Sequence, residues 1–378
     1  MRILHIEAGR HLYGGAAQVR GLVCALARAK IDNALICPRG SELAAQPLPA
    51  HVVPLRIHGD LDLGSLLRFE RVIRDYAPDL VHVHSRRGAD LWGGAAAALA
   101  RVPAVLTRRV DSNEPRAWAR FKFGSYARIV ALSRAIEVQL LACGVDARRV
   151  VRIPSAVDVM RYRPEPSARA RLLREFGLPN DAVVVGVVAQ LIPRKGHGQI
   201  LATLPGLVRR QPRINVLCFG RGPLEARLRA DVAACGLDRH VRFAGFRDDL
   251  PELMPGFDLL VHPAMREGLG VALLEAASCA LPIVAAAAGG VVDMLEHERT
   301  ALLVPPADAA ALRAAVERLL HDGDLGRRLG SAARLEVERR FSVGALGAAH
   351  VELYETVRRE ARARRTTVAA HEPRSAAP

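Results

Sequence analysis

Two glutamates eight positions apart, Glu267 and Glu275, have the strongest claim to chemistry in this chain of 378 residues. They lie in the run His262-Pro263-Ala264-Met265-Arg266-Glu267-Gly268-Leu269-Gly270-Val271-Ala272-Leu273-Leu274-Glu275-Ala276. The apolar stretch Phe257–Val261 ahead of them reads as a strand, and the Ala/Leu-rich stretch behind them as a helix. One carboxylate therefore sits on a glycine-containing turn after a strand. The other sits in the helix that the turn begins. Backbone N–H groups at a helix start lack intrahelical partners and can meet phosphate oxygens, and carboxylates accept hydrogen bonds from sugar hydroxyls. The pattern is a place to hold a sugar nucleotide. A lone pair at this spacing is more simply a helix cap and a surface residue. The strand, the Gly-x-Gly turn and His262-Pro263 favour the ligand reading. Asp258 ahead of the strand and Gly289-Gly290 after the next one read as flanking the pair.

A second candidate is Gly186-Val187-Val188-Ala189-Gln190-Leu191-Ile192-Pro193-Arg194-Lys195-Gly196, a strand, a basic turn and a helix start. Lysine or arginine here can neutralise a diphosphate leaving group. The chain has three lysines, Lys30, Lys122 and Lys195, against 51 arginines, so a lysine at this turn stands out. An ammonium is a compact point charge and a guanidinium a planar fork, and the two are not interchangeable at such a site. Gly14-Gly15 follows the first strand and opens the first helix, where paired glycines let a ligand approach the backbone. Gly220-Arg221-Gly222-Pro223 follows another strand, as a nucleotide-facing loop would; a tight turn explains it equally. His84 ends the strand Leu80–Val83 and Thr107-Arg108-Arg109 ends the next, so His84 and Arg109 are candidates for the cleft. No Ser-His-Asp or Cys-His arrangement has supporting context, and no His/Asp/Glu group has metal-ligand spacing.

The elements that must position these residues alternate. Ile3–Ile6, Ala34–Cys37, Val52–Pro54, Leu80–Val83, Ala104–Thr107 and Ile129–Leu132 read as short strands, with helices such as Ala16–Ala29 and Leu63–Asp75 between them. A second set, Val183–Val188, Asn215–Phe219, Val241–Phe243, Asp258–Val261 and Ile283–Ala286, follows the Pro- and Arg-rich stretch Ile153–Pro166. Ala309–Leu320 and Val343–Ala363 read as later helices. Alternation of this kind predicts an α/β fold of mostly parallel sheets covered on both faces. Residues 1–163 form one domain, 164–365 a second and 366–378 a disordered tail. Each open sheet offers a crevice at the carboxyl ends of its strands, and two such domains put a ligand cleft between them.

Composition narrows the function. The net charge is +15, with 25 basic and 15 acidic side chains in residues 1–165. The excess suits an anionic acceptor or membrane surface, or is a solvated face. No nucleic-acid-binding motif accompanies it. Cys24, Cys37, Cys143, Cys218, Cys235 and Cys279 are scattered with no C-x-x-C pair, as in a reducing compartment. Met1–Ile6 reads as a first strand rather than a signal peptide, and no apolar run suits a membrane span. The expected location is cytoplasmic, with peripheral contact at the inner membrane face.

Together these residues resemble the retaining GT-B glycosyltransferases of family four (glycosyl transferases group 1), of the bacterial surface-glycan type. The resemblance runs from Gly14-Gly15 to Leu320 and is most specific over Asp258–Val304, through D-L-L-V-H-P-A, E-G-L-G, L-L-E-A, L-P-I-V-A, A-G-G and L-L-V-P. Val150–Asp158 resembles the family's end-of-first-domain signature. The resemblance implies two Rossmann-like domains, an N-terminal one for the acceptor and a C-terminal one for the nucleotide sugar, with the last helix crossing back to the first. It implies that Glu267 contacts the donor sugar and Glu275 the ribose. Lys195 and Arg194 would meet the diphosphate, and Gly268, Leu269 and Gly270 would offer backbone N–H groups. Gly15, Gln190 and Gly222 would line the donor, and His84 and Arg109 the acceptor. Gln190 stands where many members carry an arginine, and Arg109 where many carry a histidine. Ala280 replaces a frequent glycine and Ser155-Ala156 a frequent Asn-Gly, both read as tolerated turn changes.

The expected reaction is transfer of a hexose, with retention, from a nucleoside-diphosphate sugar to a hydroxyl of a glycan or lipid-linked acceptor, as in lipopolysaccharide or other surface-polysaccharide synthesis. The nucleotide sugar is a co-substrate, and no cofactor or metal is expected because Lys and Arg take the metal's role. A sugar-nucleotide epimerase or hydrolase on the same fold is the rival reading. A binding protein that has lost the chemistry is a third.

Overall fold

The computed structural model describes residues 1–12, 14–86, 88–110 and 114–371. They form two compact units, Met1–Pro154 together with the chain from Val343 onward, and Ser155–Ser342.

The first unit is built on seven parallel strands: β1 (Arg2–Ile6), β2 (Asp32–Pro38), β3 (His51–Leu55), β4 (Leu80–Val83), β5 (Ala104–Arg108), β6 (Arg128–Ala131) and β7 (Val150–Arg152). Their order is β3-β2-β1-β4-β5-β6-β7. Every position of β4 and β5 is buried, which is why these strands read as unbroken apolar runs. The register sets His5 of β1 directly beside His82 of β4. Helix Gly14–Arg28 turns Ala16, Val19, Leu22, Val23 and Leu26 inward at helical spacing. Helix Val343–His371 packs against it, and Gly347 allows the close approach: a methyl there would lie 2.7 Å from the Ala25 Cβ. This helix continues past Thr366, where the tail was expected to begin. Residues 372–378 of that tail lie outside the described residues.

The second unit has six parallel strands: β8 (Val183–Val188), β9 (Ile214–Phe219), β10 (Val241–Gly245), β11 (Leu259–His262), β12 (Ile283–Ala286) and β13 (Leu302–Val304). Their order, β10-β9-β8-β11-β12-β13, repeats that of the first six strands. Aliphatic clusters fill both faces of the sheet. Helices His197–Arg210 and Ala309–His321 pack together, as do Val271–Ser278 and Gly323–Arg340.

In each sheet the strand order reverses direction once, between β1 and β4 and between β8 and β11. The loops leaving two such neighbours diverge to opposite faces and open a crevice at their carboxyl ends. In the second unit those loops are the basic turn 189–196 and the glutamate turn 263–270. Asp258 is a correction to the sequence reading. It lies at the opposite, amino end of β11, where it accepts from Arg169 at 2.8 Å and from the Val184 N–H at 2.7 Å. Ala280 holds a φ of +57°, a left-handed conformation that disfavours any residue with a Cβ. The substitution there is a strained one rather than a neutral turn change. Among the described residues no helix is long and apolar enough to cross a membrane. All six cysteines are free.

Candidate sugar-nucleotide site

The second unit gathers the basic turn and the glutamate turn into one cluster. Lys195 Nζ donates to Glu267 Oε2, and both side chains are largely buried. His262, the last residue of β11, shares the same oxygen, its Nε2 lying 2.9 Å away. Glu267 Oε1 accepts from the Gly268 N–H at 3.0 Å, so one of the three backbone donors expected on this turn is engaged internally. Burial alone would raise the Glu267 pKa. Hydrogen bonding and charge from His262, with the charge of Lys195, outweigh it and hold the carboxyl well below the usual range. Burial and nearby Lys195 and Arg194 lower the His262 pKa, while Glu267 offsets part of that. His262 therefore braces Glu267, its Nε2 held against the carboxylate.

Backbone contacts hold the two turns together. The Met265 N–H donates to the Arg194 carbonyl at 2.9 Å, and the Arg194 guanidinium lies 3.4 Å from the Arg266 carbonyl. Gly196 takes a φ of +70°, and a Cβ there would stand 2.0 Å from the Pro263 carbonyl oxygen. Gly289 takes a φ of +56°, and a Cβ there would stand 2.0 Å from the Glu267 carbonyl oxygen. The Gly290 N–H donates to that same oxygen at 3.1 Å. Glu267 is thus fixed from side chain and backbone alike, the preorganisation that an electrostatic site needs.

Helix Val271–Ser278 starts at Gly270, in a left-handed conformation, with no side-chain cap and no acid in its first turn. Its leading N–H groups remain available to an anion. Leu269 is buried beneath the turn. Glu275 lies one turn into the helix. Burial raises its pKa to about 7, and hydrogen bonding from Tyr162 with the charge of Arg161 offsets part of the rise. The Ser278 hydroxyl donates to the Tyr162 carbonyl at 2.5 Å and ties that segment to the helix. Gln190 is exposed and Gly222 packs closely on the same turn: a Cβ at Gly222 would lie 2.3 Å from the Leu191 carbonyl oxygen. Arg194 is exposed, its guanidinium beside the Arg266 carbonyl.

In the first unit, Gly15 and Arg109 are neighbours. A methyl at Gly15 would sit 3.5 Å from the Arg109 Cδ. Burial lowers the Arg109 pKa and the Glu7 carboxylate offsets part of this. His84 is 1% exposed and belongs to a packed histidine group rather than to an open surface. Its Nε2 lies 2.9 Å from His5 Nδ1, and His5 Nε2 lies 3.1 Å from Asn33 Oδ1. His82 is bound by Tyr354 at 2.5 Å and Thr107 at 2.7 Å. Burial first, then the charges of its neighbours, drives the His84 pKa well below its ordinary value. The ring nitrogens of His5, His82 and His84 come within 4.8 Å of one another, a convergence their sequence spacing did not reveal. Hydrogen bonds already engage five of those six nitrogens. With only neutral donors beside Arg109, the group fits a hydrogen-bonded core better than a cation.

Sequence reasoning missed Glu7, Tyr162 and His197. His197 is 3% exposed, two residues after Lys195 in the chain, and no motif marked it.

Comparison with known proteins agrees with this geometry. Residues 169–336 match the model described as glycosyl transferases group 1, and residues 13–161 match glycosyltransferase family 4. A 2-deoxystreptamine glucosyltransferase of Streptomyces kanamyceticus is 30% identical over 280 residues, 68% of this chain and 72% of that protein. The chain belongs to glycosyltransferase family 4. It is also 33% identical over 191 residues to a GDP-mannose-dependent alpha-(1-6)-phosphatidylinositol monomannoside mannosyltransferase of Mycobacterium tuberculosis. That match covers 48% of this chain and about half, 49%, of the relative. Among solved structures, Anabaena HepE in complex with UDP-glucose superposes with a TM-score of 0.82 at 23% identity, covering 94% of this chain and 100% of that one. The fold of this family 4 chain is therefore GT-B, with two Rossmann-like α/β units.

Proposed function

We propose that the chain is a retaining glycosyltransferase that moves a hexose from a nucleoside-diphosphate sugar to a hydroxyl of a glycan or lipid-linked acceptor, in the assembly of a cell-surface polysaccharide such as lipopolysaccharide. The observation that carries the reading is the Lys195–Glu267–His262 cluster at the β8/β11 switch point, beside the uncapped helix that bears Glu275. Relatives named for GDP-mannose and a neighbour holding UDP-glucose support the donor class.

In this reading the second unit holds the donor. Glu275 accepts from the ribose hydroxyls and Glu267 from the sugar. As the bond from the anomeric carbon to the diphosphate breaks, the acceptor oxygen bonds to that carbon and the acceptor's proton passes to the leaving diphosphate oxygen. Lys195, Arg194 and the N–H groups of Leu269 and Gly270, with the Gly268 N–H already held by Glu267, stabilise the diphosphate's growing charge. These donors stabilise the leaving group most where its charge is greatest, in the transition state. They supply the role a metal would otherwise fill. Gln190 and Gly222 give the diphosphate and nucleotide close backbone approach. Neither glutamate serves as nucleophile: Glu267 is locked by Lys195 and His262, and Glu275 is the nucleotide anchor. In the first unit Arg109 meets the acceptor, and His84 braces the strand ends beneath it. The proposed setting is cytoplasmic, in peripheral contact with an anionic membrane.

The test is release of nucleoside diphosphate from a panel of sugar nucleotides, with and without glycan or lipid-linked acceptors. Acceptor-dependent release supports transfer. Equal release without acceptor, or epimerised sugar nucleotide as the product, would replace it with the hydrolase or epimerase reading.

A further inference from the structure

The exposed face of helix Arg116–Gly124 has no role in the reading above. Trp118 is 43% exposed and Phe121 is 69% exposed. They lie one turn apart, with ring centroids separated by 5.6 Å. Arg116 and Arg120 are exposed on the same helix, and neither has a carboxylate partner among the described residues. From Pro115 to Ile136 the chain carries five basic residues and no acidic one. Arg116 Nε donates to the Ala142 carbonyl at 3.2 Å, which ties the start of this helix to the end of helix Arg134–Ala142. That second helix exposes Val138 and Leu141. Large apolar side chains and arginines with no carboxylate partner among the described residues therefore stand exposed together on helix Arg116–Gly124. The opposite side of helix Arg116–Gly124 is committed to the core through Ala119 and Phe123.

The chemistry of this face selects its partner. Exposed tryptophan and phenylalanine are costly to leave in water and favourable at the headgroup–acyl boundary. Exposed arginines add attraction only to an anionic surface. A neutral protein groove would leave those charges without compensation. We propose that helix Arg116–Gly124 docks the chain on an anionic lipid bilayer, with Trp118 and Phe121 inserted at the boundary and Arg116 and Arg120 against lipid phosphates. This locates the membrane contact proposed above and rests on that reading of a membrane-associated acceptor.

Emission from Trp118 tests the proposal in the full chain. The sequence has two tryptophans, so Trp92→Phe leaves Trp118 as the sole reporter. Vesicles of phosphatidylcholine with about a third phosphatidylglycerol should shift its emission to the blue, and brominated lipid should quench it; pure phosphatidylcholine should do much less. Trp118→Ser with Phe121→Ser should lower partitioning onto the anionic vesicles at least about tenfold. Thermal melting of the double variant confirms its fold, and turnover on detergent-solubilised acceptor should be unchanged. Undiminished vesicle binding by that variant would overturn the proposal. So would Trp118 emission that ignores lipid yet responds to a soluble anionic glycan or protein. Absent turnover with intact vesicle docking would sink the transferase reading and leave the docking face standing.

Discussion

Replacing Glu275 by glutamine should stabilise the empty protein while it weakens the donor complex. In the folded chain the Glu275 pKa is raised from 4.5 to about 7, chiefly by burial. A carboxyl whose folded pKa lies above its unfolded one costs stability as the pH rises from 4.5 to about 7. The cost is absent below that window and complete above it. A rise of this size corresponds to about 3 kcal/mol, a ceiling that water reaching the site lowers. Glu275→Gln removes the titration and keeps the shape. Its melting temperature at pH 8 should exceed the wild-type value by roughly 5–10 °C, at about 2–4 °C per kcal/mol for a unit of this size. At pH 4.5 the two melts should nearly coincide. Donor binding should move the other way, because the ionised carboxylate is the better acceptor for ribose hydroxyls. With a pKa of about 7, the wild-type Kd for a sugar nucleotide should be about tenfold weaker at pH 6 than at pH 8, and the variant's Kd should be weak and flat. Differential scanning calorimetry and titration calorimetry at matched pH read both effects. Equal melts at pH 8, or a wild-type Kd that ignores pH, would refute the argument.

Lys195→Met should cost about 3 kcal/mol at neutral pH by stripping the buried Glu267 of its cationic partner, and orders of magnitude in kcat/KM. The folded pKa of Glu267 is depressed, so its contribution is present above about 4.5 and lost as the pH falls further. The stability gap should therefore narrow in acid, and a gap constant from pH 7 to pH 3 would count against the charge pairing. Gly289→Ala would put a methyl into the Glu267 carbonyl at a positive φ, so kcat should collapse with a loss of at least about 3 kcal/mol; a normal enzyme would show that this carbonyl is free to move. Gln190→Arg should tighten donor binding about tenfold through a new charge-assisted contact to the diphosphate, read as a lower donor KM. An unchanged KM would mean that Arg194 already fills that role.

The unbroken apolar runs made most strands legible, because parallel strands covered on both faces have no polar side to show. β7 and β13 escaped notice, since three residues make a short apolar signal and Val150–Arg152 is flanked by arginines. Helix Gly323–Arg340 was also hidden. Its Gly326 and Gly330 lower helix propensity, yet Gly330 packs so closely that a Cβ would lie 2.1 Å from the Ala280 carbonyl oxygen. The basic and glutamate turns were legible as separate motifs, each a strand, a glycine and a helix start. Their union through Lys195 and Glu267, 72 residues apart, follows from strand order, which no local pattern carries. His84 looked like a cleft candidate because a strand's last residue often faces a crevice. Register instead aligns His5 with His82 and draws His84 into the same buried group.

The most direct test of the central claim is titration calorimetry of UDP- and GDP-hexoses into the full chain and into the Lys195→Ala and Glu275→Ala variants. The account predicts one saturable site per chain for a nucleoside-diphosphate sugar, with affinity lowered by about an order of magnitude or more in each variant. Binding of equal strength in all three proteins, or none by the wild type to any such donor, would contradict it.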